Sequence, residues 1–229
     1  MIRVTENLRK IRDLLAKAAV DAGRSADDVR LLAVSKKQPQ SSVIEAAAAG
    51  QRDFGENQAI EGVEKINSVA NDEFIWHFIG HLQTNKTRIV AEHFDWVHSV
   101  DRLKTANRLS QQRPKSLGDL NICLQVNVDE EESKSGMQIE SVRELASRIV
   151  DLPNLRLRGL MCLPAIRHDF EAQRIPFARL RCLADELRAS GIPVDTLSMG
   201  MSGDFRAAIF EGSTMVRIGT AVFGPRAKA

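Results

Sequence analysis

Apolar and polar residues recur along this chain with two different periods. Within residues 5–22, apolar side chains are spaced three and four residues apart, at Leu8, Ile11, Leu14, Leu15 and Ala18. This spacing predicts an amphipathic helix. The next apolar run, residues 31–36, is too short to form three helical turns before Pro39. It therefore predicts a buried strand.

Short apolar runs and helical stretches continue to alternate to the end of the sequence. Eight runs have the length and composition of buried strands: residues 31–36, 52–57, 74–80, 95–100, 121–128, 155–163, 196–202 and 215–220. Helical patterns lie between several of them, at residues 102–111, 139–150 and 177–189. Ser42 and Glu45 have the spacing of a capping box, which predicts a further helix that begins there and ends at Gly50.

Eight strands separated by helices predict a single (β/α)8 barrel, the TIM-barrel class of α/β fold. A strand that is followed by a crossover helix must join a parallel neighbour. Only nine residues follow the last predicted strand, so we expect the N-terminal helix to cover the place of a missing eighth helix. An open sheet of five or six strands is the alternative, and it requires that two or three of these runs are not strands. Because no Pro/Gly/Ser-rich linker divides the chain, we expect residues 1–229 to form one domain.

The overall composition argues against several classes of function. The 32 basic and 30 acidic side chains give a net charge of +2, whereas nucleic acids and acidic membranes are bound by clustered basic surfaces. No apolar run approaches the ~20 residues of a membrane span, and no signal peptide opens the chain, so we expect a cytoplasmic protein. The cysteines include no CxxC pair and the histidines lack metal-site spacing, so no metal centre is expected. Cys123 and Cys162 lie in apolar runs, and we expect both to be buried, inert thiols.

Two lysines end the first predicted strand. In a barrel of this kind the active site lies at the carboxyl ends of the strands, where an ammonium group is seldom buried without a role. In a dry site the pKa of a lysine falls, and its neutral amine attacks carbonyl groups. Alternation places Lys36 and Lys37 on opposite faces, so only one of them enters the site. The spacing does not distinguish the two, and a solvated pair at the strand end is the alternative.

The loops after the seventh and eighth predicted strands have the composition of a phosphate site. In TIM barrels these loops most often hold a phosphate group, and here they read MGMSGD and RIGT. Glycines let backbone N–H groups approach an anion, and Ser202 and Thr220 add hydroxyl donors. A helix that begins near Gly203 would direct its positive end to the same place. Ordinary turns are the alternative, but a phosphate site beside a reactive lysine suggests pyridoxal phosphate.

Eight segments of the chain carry a resemblance to a known family. They extend from residue 31 to residue 224 and read LLAVSKKQP, RDFGENQ, WHFIGHLQTNK, DWVHSVDR, SKSGM, LRGLMCLP, LSMGMSGD and STMVRIGTAVFG. In these segments the chain resembles the YggS/PROSC family of pyridoxal phosphate homeostasis proteins. The resemblance implies a barrel related to the barrel half of bacterial alanine racemase. It also implies a protein that holds pyridoxal 5'-phosphate and influences its supply, without an established reaction of its own.

The same resemblance implies the site residues. The cofactor is expected as an aldimine on Lys36, the lysine of AVSK, with Arg217 facing the pyridine nitrogen. A guanidinium stays protonated, so it keeps that nitrogen neutral and makes the cofactor a poorer electron sink. The residues expected at the phosphate are Ser202, Gly219 and Thr220. Asn57 is expected to bond the ring oxygen or to line the cavity; a structural ion pair for Arg217 and a turn role for Asn57 are the alternatives.

Two classes of enzyme are the alternatives to a homeostasis protein. An alanine racemase uses a tyrosine from a second domain as its second base, and this chain has no tyrosine and reads Phe223–Gly224 where racemases have Tyr-Gly. We therefore expect no catalytic residues, with His81 as the only candidate for a replacement base. A sugar-phosphate aldolase or isomerase would use the same barrel, lysine and phosphate site without a cofactor.

Two further expectations concern a second amine and the partners. Lys134 follows the fifth predicted strand and could offer a second amine to an aldehyde. We expect a monomer, because the main contact of the racemase dimer belongs to a second domain that is not expected here. Transient contact with pyridoxal phosphate-dependent apo-enzymes would leave no readable motif.

Overall fold

The barrel is closed by eight parallel strands that follow one another around it in sequence order. The computed structural model describes residues 4–130 and 135–225. The strands are β1 (Arg30–Val34), β2 (Asp53–Glu56), β3 (Ile75–Phe78), β4 (Trp96–Val100), β5 (Leu120–Val126), β6 (Leu155–Cys162), β7 (Thr196–Ser198) and β8 (Met215–Ile218). Strands β8 and β1 close the barrel, and there Leu32 pairs with Arg217. The (β/α)8 fold that the sequence predicts is confirmed, and the open sheet is excluded.

Both faces of the strands are buried, because helices cover the outside of the barrel and side chains fill its inside. On β1, Leu31 and Ala33 belong to the main apolar core between the strands and the helices. Leu32 and Val34 are buried too, but they lie outside that core and therefore face the inside of the barrel. A second, smaller core inside the barrel is formed by Trp96, Cys123 and Met161.

The helices alternate with the strands and form the outer layer. They are α1 (Val4–Asp21), α2 (Gln40–Ala48), α3 (Ala59–Val69), α4 (Thr87–His93), α5 (Leu103–Gln112), α6 (Ile139–Ile149), α7 (Phe170–Ala189), α8 (Phe205–Phe210) and α9 (Thr220–Phe223). Helix α1 packs against α2, α8 and α9, and Asn7 donates a hydrogen bond of 3.0 Å to the carbonyl oxygen of Val222. Because α9 has only four residues, α1 takes the place of the eighth outer helix, as predicted.

Two helices begin earlier than the sequence predicts. Helix α2 begins at Gln40 after Pro39, whose extended backbone forms the N-cap without a side-chain hydrogen bond. The predicted capping box at Ser42 is therefore wrong, because the fixed φ of a proline already suits a helix start two residues sooner. Helix α7 begins seven residues earlier than predicted, after the N-cap residue Asp169, and it contains Pro176. Because a proline lacks the N–H group that continues a helix, the sequence pattern predicts a helix only for the residues after Pro176.

The thiol groups differ in burial. Cys123 and Cys162 are buried, as the sequence predicts, and Cys182 is exposed. Burial raises the pKa of Cys123 and of Cys162 to about 12, so both stay protonated at neutral pH. Within residues 4–130 and 135–225, no cluster of His, Cys, Asp and Glu side chains could hold a metal ion. In the same two segments, no helix is both long enough and apolar enough to cross a membrane.

Candidate functional site

Four strands that are neighbours around the barrel end in the predicted site residues. The order β7–β8–β1–β2 is continuous across the closure of the barrel. In that order the residues are Ser202, then Arg217, Gly219 and Thr220, then Lys36, and then Asn57. Parallel strands have their carboxyl ends at the same rim, so these residues surround one mouth of the barrel. The backbones approach closely there, because a Cβ atom on Gly219 would lie 3.2 Å from the carbonyl oxygen of Val34.

Burial distinguishes the two lysines that follow β1. The strand ladder continues past Val34 to Ser35, whose N–H group donates a 3.0 Å hydrogen bond to the carbonyl oxygen of Gly55. Lys36 begins the turn that follows and is half-buried. Lys37 is exposed and has a left-handed φ of 57°. The geometry therefore favours Lys36 as the amine at the mouth, a choice that spacing leaves open.

A buried ion-pair cluster holds the backbone at the end of β1. The Nζ atom of Lys65 donates a 2.6 Å hydrogen bond to the carbonyl oxygen of Ser35. It also donates to Glu56 Oε1 and Glu61 Oε1, each at 2.8 Å. Burial raises the pKa of Glu56, against the opposing effects of Lys65 and Ser35. On the other side of the candidate lysine, the N–H group of Lys37 donates to Glu61 Oε1 over 2.5 Å, so the backbone is fixed on both sides.

Arg217 is buried beneath the mouth and is held by several acceptors. Its Nη1 atom donates to the carbonyl oxygen and to the Oγ of Ser198, at 2.5 and 2.7 Å, and Nη2 donates to the carbonyl oxygen of Cys162 at 2.8 Å. Its backbone N–H group donates to the carbonyl oxygen of Gly200 over 3.0 Å. Burial lowers the pKa of Arg217, and the carboxylate of Asp204 acts in the opposite direction. A guanidinium nevertheless remains protonated in proteins, so the site has a fixed positive charge at its floor.

The two predicted phosphate loops lead into short helices. Ser202 precedes α8, and Gly219 is the N-cap of α9, which begins at Thr220. The hydroxyl-bearing residues Ser202 and Thr220 are both exposed, and neither helix start has a side-chain cap. The turn after β7 passes through Gly200 at a φ of 95°, a left-handed conformation that favours glycine. These loops therefore offer an anion hydroxyl groups and the backbone N–H groups of two helix starts.

Asn57 presents a buried acceptor at the same mouth. Among the described residues, its Oδ1 atom has no hydrogen-bond partner. Asn57 lines a cavity of about 510 Å³ together with His81, Gln83 and Lys86. An unsatisfied buried acceptor costs free energy, so this atom suits a ligand that brings a hydrogen-bond donor. Gly80 packs against the same loop, since a Cβ atom on it would lie 2.0 Å from the carbonyl oxygen of Asn57.

The groups at this mouth match the chemistry of pyridoxal phosphate. Lys36 offers an amine for an aldehyde, and Arg217 offers a charged donor for a ring nitrogen. The loops after β7 and β8 offer donors for a phosphate, and Asn57 offers an acceptor for the ring hydroxyl. The residues present therefore fit the cofactor. Lys134, which the sequence suggests as a second amine, lies outside the described residues.

Comparisons with known proteins address the family directly. Residues 3–227 match the protein family described as alanine racemase, N-terminal domain. The "Pyridoxal phosphate homeostasis protein" of Pseudomonas aeruginosa is 54% identical over 226 residues, which cover 99% of this chain and 97% of that protein. The chain belongs to the pyridoxal phosphate homeostasis protein family. The family membership that the sequence motifs indicate is thereby confirmed.

Solved structures place this family among related barrels. PipY of Synechococcus elongatus, in a structure with PLP bound, aligns with a TM-score of 0.84 and 34% identity, covering 96% of this homeostasis-family chain and all (100%) of PipY. An alanine racemase of Clostridium difficile 630 aligns with a TM-score of 0.76 at 17% identity. This chain covers only 57% of that racemase, and the likeness shows the shared barrel fold alone.

Proposed function

We propose that this protein binds pyridoxal 5'-phosphate at the carboxyl end of the barrel and serves its homeostasis. One observation carries the proposal: the loops after β7, β8, β1 and β2 are neighbours, so a lysine, a buried arginine and two anion-binding loops surround one mouth. Lys36 forms the covalent link to the cofactor and Arg217 faces the pyridine nitrogen. The phosphate is held by Ser202, Gly219 and Thr220. Asn57 accepts a hydrogen bond from the ring hydroxyl.

The proposed roles follow from the chemistry of each side chain. When bound, pyridoxal phosphate supplies an aldehyde that links to an amine and a ring that withdraws electrons. Lys36 is half-buried at the mouth, and its amine has the chemistry to link to an aldehyde. Arg217 donates a hydrogen bond but keeps its proton, so it leaves the ring nitrogen neutral and keeps electron withdrawal weak. A weak electron sink suits a protein that stores the cofactor better than one that labilises a Cα–H bond.

The homeostasis role is supported by the names of close relatives, including the protein of Pseudomonas aeruginosa. We propose that the protein has no reaction of its own and releases the cofactor to apo-enzymes through transient contacts. We further propose that it is a cytoplasmic monomer and that residues 1–229 form one domain. Sedimentation of the loaded protein tests the monomer, and reactivation of an apo-aminotransferase by the loaded protein tests the release.

Absorbance titration with pyridoxal phosphate tests the binding. We expect a visible band in the wild type and in the control variant Lys37→Ala, and no such band in Lys36→Ala. A band that persists in Lys36→Ala would assign the amine to another lysine. A colourless wild type would contradict the proposal and favour a sugar-phosphate aldolase or isomerase, which needs no cofactor.

Amino-acid racemisation is the second candidate function. It is favoured by the position of His81, an exposed histidine that lines the same cavity as Asn57 and has the chemistry of a replacement base. A chiral assay of L-alanine conversion by the loaded wild type and by His81→Gln decides between the two. The proposed function predicts no conversion by either protein, whereas conversion that depends on His81 would support racemisation.

A further inference from the structure

A continuous row of hydrogen bonds runs from Arg217 through the inside of the barrel to its amino-terminal end. Its members, named here the axial chain, are Arg217, Ser198, His98, His77 and Asp53. Arg217 Nη1 lies 2.7 Å from Ser198 Oγ, and Ser198 Oγ lies 2.8 Å from His98 Nδ1. His98 Nε2 lies 3.0 Å from His77 Nδ1, and His77 Nε2 lies 3.0 Å from Asp53 Oδ1.

The axial chain crosses the barrel rather than following one strand. Its members come from β8, β7, β4, β3 and β2, and Asp53 is the first residue of its strand. Arg217, Ser198 and both histidines are buried. The side chain of Asp53 is 14% exposed, and it pairs at 3.5 Å with Arg30, which is 49% exposed. One end of the axial chain therefore lies at the candidate cofactor site, and the other reaches solvent at the opposite end of the barrel.

The two ends fix the direction of every hydrogen bond between them. A guanidinium can only donate, and a carboxylate can only accept. His77 must therefore donate from Nε2 to Asp53 and accept at Nδ1. His98 then donates from Nε2 to His77 and accepts at Nδ1 from the hydroxyl of Ser198. That hydroxyl oxygen is left to accept from Arg217, so a single pair of neutral tautomers satisfies the whole axial chain.

Burial keeps the two histidines neutral. It lowers the pKa of His77, with Asp53 acting in the opposite direction. It lowers the pKa of His98 still more strongly, and the neighbouring His77 and Arg217 add to that decrease. The ring of His77 stacks on Trp96 with centroids 5.4 Å apart, which limits rotation of the imidazole. The links between Ser198 and Asp53 are therefore uncharged, oriented dipoles.

The charge of Arg217 is only partly balanced by its immediate surroundings. The carboxylate of Asp204 acts on it through space, but among the described residues no Asp or Glu forms an ion pair with its guanidinium, and its direct acceptors are neutral oxygen atoms. A buried charge is costly unless it is balanced, and oriented hydrogen bonds polarise one another in a medium of low dielectric constant. The aligned dipoles end on the carboxylate of Asp53, whose negative charge adds to that of Asp204.

We propose that the axial chain carries the influence of Asp53 to Arg217, adding to the counter-charge of Asp204 and fixing the orientation of the guanidinium beneath the cofactor. His77, His98 and Asp53 are then positioning residues, which act on the cofactor only through Arg217. This inference rests on the proposed function for its consequence at the cofactor. The hydrogen-bonded coupling itself is a property of the protein without cofactor.

The first test reads the histidine rings without cofactor. Long-range ¹H–¹⁵N spectra of the wild type are expected to show His77 and His98 as neutral rings protonated at Nε2. Asp53→Asn removes the charge while keeping the shape, and it is expected to shift the ring nitrogens of His98, which Asp53 does not touch. The matched control is Asp195→Asn, because Asp195 precedes β7 at the same end of the barrel and pairs with Arg158 instead.

The second test reads the bound cofactor. Asp53→Asn is expected to move the visible absorption maximum of bound pyridoxal phosphate and to weaken its affinity roughly three- to tenfold, the size of one net hydrogen bond. Asp195→Asn is expected to leave both unchanged. If Asp53→Asn does not fold, Ser198→Ala cuts the axial chain at its other end and should shift the His98 nitrogens while His77 keeps its tautomer.

The outcomes separate this inference from the proposed function. Unchanged His98 nitrogens and an unchanged absorption maximum in Asp53→Asn overturn the axial coupling while leaving cofactor binding in place. Equal effects of Asp53→Asn and Asp195→Asn overturn it as well, because a general loss of acidic charge would then suffice. If the wild type binds no cofactor, the proposed function fails, and the ring-nitrogen shifts alone decide whether the axial chain couples its ends.

Discussion

The ammonium group of Lys65 lies 2.6 Å from the carbonyl oxygen of Ser35, the residue directly before Lys36. Lys65 is in the middle of α3 and is 7% exposed, so this contact joins an outer helix to the end of β1. Its two other partners, Glu56 and Glu61, are acidic. The position of the candidate lysine therefore depends on an ion-pair cluster behind it.

Removing the charge of Lys65 is expected to destabilise the fold. Lys65→Met keeps most of the volume of the side chain but leaves Glu56 buried without its cation, a change that typically costs about 3–5 kcal/mol. Urea unfolding measures the loss. The matched control is Lys104→Met on α5, an exposed lysine whose replacement should change stability by less than about 0.5 kcal/mol. Equal losses in the two variants would show that the cluster is not structural.

The two buried histidines are expected to make the protein sensitive to mild acid. Burial lowers the pKa of both His77 and His98 in the folded state. Below the unfolded pKa of about 6.5, the unfolded chain therefore binds more protons, and stability falls as the pH falls. Each histidine contributes at most about 1.4 kcal/mol per pH unit in that range.

Urea unfolding between pH 7.5 and pH 5 measures this dependence in the wild type, His98→Gln and His168→Gln. The raised pKa of Glu56 acts in the opposite direction, so the difference in slope between variants is the informative quantity. His98→Gln should flatten the dependence, and replacement of the exposed His168 should not. A wild-type slope in His98→Gln would contradict the assignment of a neutral, buried imidazole.

Gly80 is expected to tolerate no side chain. A Cβ atom there would lie 2.0 Å from the carbonyl oxygen of Asn57, a backbone atom that cannot rotate away. Gly80→Ala should therefore lower stability by at least about 1–3 kcal/mol, the usual cost of overpacking, and should displace the loop that carries Asn57. Thermal unfolding and the cofactor affinity are the two readouts. Gly203→Ala is the control for stability, because no heavy atom of the described residues lies within 4 Å of its Cβ position.

One thiol of three is expected to react in the native protein. Cys182 is exposed, whereas burial raises the pKa of Cys123 and of Cys162 to about 12. A chromogenic disulfide reagent should titrate one equivalent before urea is added and three equivalents afterwards. Cys182→Ser should abolish the native reaction. Rapid native reaction of two or more thiols would mean that the barrel interior opens readily.

The barrel could be predicted because each strand is recognisable from its own short stretch of sequence. A strand that is buried on both faces is a short apolar run between helices, and eight such runs imply parallel neighbours by chain connection alone. The same logic predicts that α1 covers the gap beside α9. The start of α2 was not predicted correctly, because Ser42 and Glu45 have the spacing of a capping box but the helix begins at Gln40, after Pro39.

The candidate site could be predicted only in part. The residues at strand ends, such as Lys36 and Arg217, are signalled by charge at the end of an apolar run. Lys65 gives no such signal, because an isolated lysine in a helical pattern normally faces solvent. His77 and His98 are 21 residues apart, and only the closure of the barrel brings their rings together. Buried histidines within apolar strands are the one signal that could have indicated an internal polar chain.

Reduction of the loaded protein with borohydride, followed by mass spectrometry of its peptides, tests the central claim most directly. The proposed function predicts that the phosphopyridoxyl mass is found on Lys36 and that Lys36→Ala acquires no label. Label on Lys37, Lys86 or Lys134 in the wild type, or no label on any lysine, would contradict it.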